Sequence, residues 1–139
     1  MSSISPQVRR RARERAVQFL FGLDFTSYDW REVIADFWRV NPSRPGVRDY
    51  AEKLIAGVID QRADLDNAIA ATLETWSPGR IGRVERNVLR VAAWEMLYAG
   101  DVPRNVAINE AIEVAKRFGT DDAPRFINGI LDKIQVPGE

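Results

Sequence analysis

Five arginines and one glutamate fall within seven residues near the start of the chain, over residues 9–15. The run leads directly into an apolar stretch that contains Phe21. Guanidinium groups form bidentate bonds with phosphate, and an aromatic ring beside them stacks on a nucleobase. The chain as a whole carries 20 basic and 20 acidic side chains, so its formal charge is zero. The arginine run is therefore a local positive pole whose chemistry suits single-stranded nucleic acid.

A helical projection at about 100° per residue places one flank of arginines beside Phe21. This flank carries Arg9, Arg10 and Arg13, whereas Arg11 and Arg15 project from the polar back of the helix. Whether these last two arginines contact a ligand stays open. Two other interpretations also stay open: the charges can simply solvate a helix face, with Phe21 at the edge of the core, or they can meet an acidic protein.

The composition excludes several classes of chemistry. The chain has no cysteine and no histidine, which removes disulfides, thiolate or imidazole metal sites and histidine acid–base catalysis. No stretch approaches the roughly 20 apolar residues of a membrane span, and no signal-peptide pattern follows the basic start. No phosphate-binding loop or activated nucleophile occurs. We therefore expect a cytoplasmic protein that is not an enzyme and uses no metal, cofactor or membrane.

The elements that must position these residues all follow a helical period. Apolar residues recur at spacings of three and four between turn-forming clusters, and no run alternates over the length of a strand. Asp29 and Asp122 are predicted helix N-caps, and Gly119 is a predicted left-handed stop. The third predicted segment is either one helix or two with a break near residues 60–64. The pattern predicts an all-α domain of six to seven helices, over about 6–24, 30–39, 47–75, 81–98, 104–118 and 123–135.

Four longer motifs carry a family resemblance. They are RRRARERAVQ at 9–18, RVERNVLRVA at 83–92, VPRNVAINEAIEVAKRFG at 102–119 and FINGILDK at 126–133. In this order and spacing, from about residue 8 to residue 134, the chain resembles the NusB family of bacterial transcription antitermination factors. The resemblance implies a single domain over 1–139 made of two packed helical subdomains, at about 6–76 and 80–135.

The resemblance also implies an RNA-binding role without catalysis. Members of the family pair with NusE, a small-subunit ribosomal protein, and together they hold boxA RNA within the transcription elongation complex. This assembly promotes read-through of terminators, notably in ribosomal RNA transcription. Two alternatives stay open: a helical adaptor between proteins, and an RNA-tethering module related to ribosomal RNA methyltransferases. The second alternative requires a glycine-rich cofactor-binding domain, which we expect to be absent because the sequence ends at Glu139.

Residue by residue, the resemblance assigns positions in this chain to two surfaces. Glu85 matches a position that the family uses toward NusE. Spacing alone would place Phe126 in the core and make Asp122 a helix cap, and the tryptophans suit either a core or a homodimer interface. The implied RNA-binding residues are Arg9, Arg10, Arg13, Phe21, Asp122, Arg125 and Phe126.

Overall fold

The structure, a computed structural model, describes residues 4–73 and 81–138. Within these ranges all regular secondary structure is helical, which confirms the predicted all-α class. The third predicted segment is divided at Gln61 into two helices, at the break that the pattern allowed. The seven α-helices of the described residues are α1 (Pro6–Leu23), α2 (Trp30–Val40), α3 (Pro45–Asp60), α4 (Arg62–Ala70), α5 (Arg83–Trp94), α6 (Arg104–Phe118) and α7 (Ala123–Lys133).

Helix α5 forms the centre of the core. It contacts α1, α3, α4, α6 and α7, and all of its residues from Asn87 to Trp94 are buried. Trp30, Trp38 and Trp94 are buried as well, so these three tryptophans belong to the core of the chain. Burial of one large apolar side chain contributes roughly 1.5–3 kcal/mol, so the apolar sides of α5 are a major source of stability.

Close packing around α5 depends on Gly57 of α3. A Cβ atom at this position would overlap the indole ring of Trp94, which lies directly against the glycine backbone. A glycine within a helix normally weakens that helix slightly. At Gly57 the absent side chain instead allows α3 to approach the central helix.

The predicted helix over 81–98 changes its geometry near its end. Helix α5 ends at Trp94 and continues as a π-helical turn, Glu95–Ala99, which stops at Gly100 with φ of 81°. That positive φ suits glycine, which has no Cβ to clash. Glu95 opens the π-helical turn and is buried, although it is a charged residue.

Of the two predicted N-caps, Asp29 is confirmed and Asp122 is not. Asp122 precedes α7 as predicted, but its side chain accepts no capping hydrogen bond. Its backbone is already helical, with φ of −86° and ψ of −11°, whereas a capping residue is normally extended. The Asp29 prediction is confirmed, because its Oδ1 accepts from the Arg31 N–H at 2.9 Å.

The left-handed stop predicted at Gly119 is wrong. Its φ of −97° and ψ of −175° are extended values that other residues adopt. What requires glycine is a close approach, since a Cβ would lie 2.9 Å from both the Ala115 carbonyl oxygen and the Ala123 Cβ. The glycine therefore lets α7 begin close to the end of α6.

The boundary predicted between two subdomains, at residues 76–80, lies outside the described residues. The division into subdomains stays a prediction. Among the described helices, none combines the length and the apolar character that a membrane crossing requires.

Candidate functional site

Arg13 lies at the centre of a buried ion-pair network. Its side chain is only 4% exposed, and its Nε and Nη2 donate to Glu95 at 2.8 and 2.9 Å. Its Nη1 donates to Glu110 at 3.2 Å, and the Tyr50 hydroxyl donates to Glu95. Burial is the largest single influence and lowers the pKa of Arg13, but its hydrogen bonds to Glu95 together with the charges of Glu95, Tyr50 and Glu110 raise the pKa overall. Arg13 is thus a permanently charged group inside the protein, with every guanidinium nitrogen already bonded to a carboxylate.

The side chain of Arg10 is held at one edge and exposed at the other. Its Nε and Nη2 donate to the two oxygens of Glu110, at 3.1 and 2.7 Å, while the side chain as a whole is 53% exposed. Its Nη1 donates to no described residue. Since a guanidinium binds two acceptors along each edge, this arrangement fixes the side chain and leaves donors for a further oxyanion.

Arg9 is anchored on the loop that precedes α6. Its Nη2 donates to Asp101 at 3.0 Å, and its guanidinium lies over the Tyr50 ring at 4.9 Å. The bond from Arg9 lowers the pKa of Asp101. All three predicted arginines of this flank therefore lie in one region, but each already has an acidic partner.

Two ion pairs show that α1 and α6 run in parallel. Arg10 meets Glu110, and Glu14, farther along α1, forms an ion pair with Arg117, farther along α6, at 3.7 Å. Phe21 follows Arg10 by three helical turns, about 16 Å along the axis. Glu14 already pairs with the last turn of α6, which ends at Phe118, so Phe21 lies beyond the stretch over which α1 and α6 form ion pairs.

Phe21 offers an accessible ring at this end of α1. The residue is 36% exposed, and its ring makes an edge-to-face contact with Phe25, with centroids 5.2 Å apart. The residue is not part of the buried core, in contrast to Phe19 and Leu20 beside it. A partly exposed ring of this kind suits stacking on a base.

Glu85 lies at the same end of the molecule. It stands in the first turn of α5, where the helix dipole favours a carboxylate. A Cβ on Gly119 would lie 3.3 Å from its Oε1, so the carboxylate lies against the α6–α7 turn. In the same turn of α5, Arg83 covers the Phe25 ring at 4.7 Å. The structure thus places Glu85 between the aromatic end of α1 and the turn that leads to α7.

The remaining predicted residues follow that turn. Asp122 and Arg125 are exposed, and Phe126 is half-buried and packs against the core. The expectation from spacing that Phe126 joins the core is therefore met in part. The RNA contacts assigned to these three residues stay a prediction, at a position beyond the end of α6 and near the level of Phe21.

Sequence reasoning missed the acidic partners of the arginines. Glu110 binds Arg10 and Arg13 of α1 rather than a basic neighbour on its own helix. These partners are about a hundred residues apart, so local spacing carries no information on them. Glu95 did offer a signal, since a carboxylate in a buried apolar segment requires a partner.

The Glu110 network predicts a pH-dependent difference in stability. The bond from Arg10 is the main cause that lowers the pKa of Glu110 in the folded protein. A carboxylate with a depressed pKa stabilises the fold above its unfolded pKa of about 4.3 and loses this contribution as the pH falls. We expect Glu110→Gln to lower the free energy of unfolding by about 1–2 kcal/mol at pH 7, with the gap from wild type shrinking in acid.

Urea unfolding of both proteins at several pH values between 3 and 7 measures this gap. Glu113→Gln is the control, because Glu113 makes only an exposed pair with Lys116 at 3.7 Å. The control is expected to change stability by less than about 0.5 kcal/mol. A Glu110→Gln deficit that is constant across this pH range would contradict the role of the ionised carboxylate.

Known proteins resemble this chain over nearly its whole length. The NusB family model matches residues 10–136. The transcription antitermination protein NusB of Geobacter sulfurreducens is 44% identical over 129 residues, covering 91% of this chain and 92% of the relative. The solved structure of T. maritima NusB superposes with a TM-score of 0.79 at 35% identity, covering 96% of this chain and 91% of that one.

A further solved structure shares the fold. It contains the antitermination factors NusB and NusE in complex with dsRNA, and the match has a TM-score of 0.81 at 23% identity. It covers 92% of this chain and 96% of that one.

Proposed function

The chain belongs to the NusB family, and on that premise we propose that it is an RNA-binding transcription antitermination factor. Together with NusE it binds boxA-like single-stranded RNA and promotes read-through by the transcription elongation complex, notably in ribosomal RNA transcription. Its role is to bind and position RNA, without catalysis. The relatives named above are antitermination proteins, and a protein of the same fold was solved with NusE and RNA.

One observation in the structure carries the RNA-binding part of the proposal. A half-exposed guanidinium at Arg10 and a half-exposed ring at Phe21 lie on one line of α1, three turns apart. The guanidinium suits a phosphate and the ring suits a base, as single-strand binding requires. In this proposal Arg125 and Phe126, which follow the α6–α7 turn, form a second RNA-contacting surface. Asp122 lies between the turn and these two residues.

Arg13 has a different role within this proposal. It is buried and bonded to Glu95 and Glu110, so it positions these carboxylates rather than contacting RNA itself. By holding Glu110, it fixes the carboxylate that holds Arg10. A rigid arginine loses less side-chain entropy when it meets a phosphate, which favours binding.

The surface toward NusE includes Glu85 in this proposal. The carboxylate lies against the α6–α7 turn, next to the aromatic end of α1. A partner seated there would touch the region that holds the RNA, so that protein and RNA would support each other's binding.

The salt dependence of RNA binding tests the proposal. If about four cationic side chains contact phosphates, the log–log slope of affinity against salt is about −3 for a single strand. Arg10→Gln is expected to reduce the magnitude of that slope by about 0.7. Fluorescence anisotropy with labelled boxA-like RNA between 50 and 200 mM salt measures it, with scrambled and double-stranded RNA compared in the presence and absence of NusE.

Arg39→Gln is the matched control, because Arg39 is an exposed arginine on α2 that pairs with Asp36. Its slope is expected to equal that of wild type. An Arg10→Gln slope that also equals wild type would remove Arg10 from the site. Weak, sequence-independent RNA binding that NusE fails to sharpen would favour the protein–protein adaptor instead.

A further inference from the structure

A second basic surface lies beside Arg10, about 100° around α1 from it. It is a groove of about 290 Å³ between the first turns of α1 and the start of α3. Arg11 and Arg44 line it, together with Gln7 and Ser43. Among the described residues that line this groove, none is acidic.

The charges in this groove are less neutralised than those that face α6. Arg44 is exposed, and its side chain forms no hydrogen bond or ion pair with any described residue. Arg11 is 44% exposed and gives only its Nη1 to Glu14, at 3.1 Å. By contrast, Arg9, Arg10 and Arg13 all meet carboxylates from outside α1. The unneutralised positive charge of this helix therefore lies on its back.

A further positive charge is bonded to one of the residues that line the groove. Arg15 donates to Ser43 Oγ, which lines the groove, and to Asn41 Oδ1, both at 3.2 Å. Helix α3 begins here with Pro45 in its first turn and with no side-chain cap. Its first N–H groups have no acceptor within the helix, so this end is weakly positive.

We propose that this groove binds a backbone phosphate of the same RNA strand that contacts Arg10. The inference rests on the proposed function and extends its site around α1. Arg10 and Arg11 are neighbours in sequence, and their side chains leave the helix about 100° apart. A strand that crosses the first turns of α1 meets Arg10 with one phosphate and the pair Arg11 and Arg44 with another. A phosphate fits the groove because two guanidinium groups can donate to it together.

The decisive variant is Arg44→Gln in the full chain. Arg44 is exposed and unpaired among the described residues, so the melting temperature is expected to stay at the wild-type value. RNA affinity is expected to fall about twofold to fivefold. The magnitude of the salt slope is expected to fall by about 0.7, and by about twice that amount in the Arg10→Gln/Arg44→Gln double variant. Arg39→Gln again serves as the control.

Neutral methylphosphonate linkages identify the phosphate. Each linkage of the boxA-like RNA is replaced in turn, and affinity is measured for wild type, Arg10→Gln and Arg44→Gln. A methylphosphonate at one linkage is expected to lower the RNA affinity of wild type but not that of Arg44→Gln. A methylphosphonate at a different linkage is expected to lower the affinity of wild type but not that of Arg10→Gln.

The failures of the two proposals are distinguishable. Suppose that Arg10→Gln weakens RNA binding, while Arg44→Gln keeps the wild-type salt slope and loses the same affinity as wild type at every methylphosphonate linkage. The groove is then not an RNA contact, and the proposed function stands. If Arg44→Gln reduces binding of NusE but not of RNA, the groove belongs to a protein partner and the inference is overturned. If wild type binds no RNA, with or without NusE, both proposals fall.

Discussion

Replacing Glu95 with alanine is expected to lower the free energy of unfolding by about 3–5 kcal/mol, the largest effect of any change considered for this chain. The variant removes both bonds to the Nε and Nη2 of Arg13, whose side chain is only 4% exposed, and the acceptor of the Tyr50 hydroxyl. A buried charge without its partner costs far more than the pair contributes when intact. Urea unfolding at pH 7, followed by circular dichroism, measures the loss.

The double variant Arg13→Met/Glu95→Leu separates the charge effect from the loss of packing. Apolar side chains of similar volume are expected to recover most of the stability, because no unpaired charge is left. Asp36→Ala is the exposed control, since Asp36 pairs with Arg39 at the surface, and it is expected to cost less than about 1 kcal/mol. A Glu95→Ala loss as small as that of the control would contradict the buried network.

The same double variant also tests the role of Arg13 toward RNA. If Arg13 only supports Glu110 and Arg10, the affinity falls while the salt slope keeps its wild-type magnitude. If Arg13 contacts a phosphate directly, as the sequence resemblance implies, the magnitude of the salt slope falls by about 0.7. The structure favours the first result, because each nitrogen of this guanidinium already donates to a carboxylate.

Phe21→Ala is expected to weaken RNA binding by about 1–3 kcal/mol, or about fivefold to 150-fold, if the ring stacks on a base. The ring is partly exposed and lies outside the buried core, so the loss of stability is expected to stay below about 1 kcal/mol. Phe21→Tyr keeps the stacking surface and is expected to bind at least as well as wild type. Anisotropy titration and thermal melting of the same samples give both quantities.

Tyr28→Ala is the matched aromatic control, because Tyr28 is 63% exposed on the loop between α1 and α2. Its RNA affinity is expected to equal that of wild type. Normal RNA affinity for Phe21→Ala, together with a clearly lower melting temperature, would show that Phe21 stabilises the fold and does not belong to the candidate site.

The sequence predicts the helices well because their signal is local. Apolar spacing and turn residues identify each segment, and the break between α3 and α4 that they left open near residues 60–64 lies at Gln61. The exceptions depend on tertiary contacts. Gly119 is required by the closeness of Ala123, and the π-helical turn begins at a glutamate that binds a distant arginine. Neither contact is visible in a window of neighbouring residues.

The candidate site is predictable only in part, for the same reason. The arginines and Phe21 stand close together in sequence, and their shared flank follows from the helical period. Their partners Glu95, Asp101 and Glu110 lie between 82 and 100 residues away. Sequence reasoning therefore located the positive charge of α1 but did not show how much of it is neutralised by carboxylates from outside the helix.

The carboxylates that hold Arg9, Arg10 and Arg13 also act as built-in competitors. An arginine-rich helix alone would attract any polyanion, from transfer RNA to duplex DNA, through charge alone. In the folded chain, Asp101, Glu95 and Glu110 screen that attraction. A nucleic acid gains little from charge alone on that flank and must add a well-placed base or phosphate. Folding thereby lowers the non-specific affinity of this helix for polyanions and increases its selectivity for one RNA. That selectivity matters in a cell where non-cognate RNA is in vast excess.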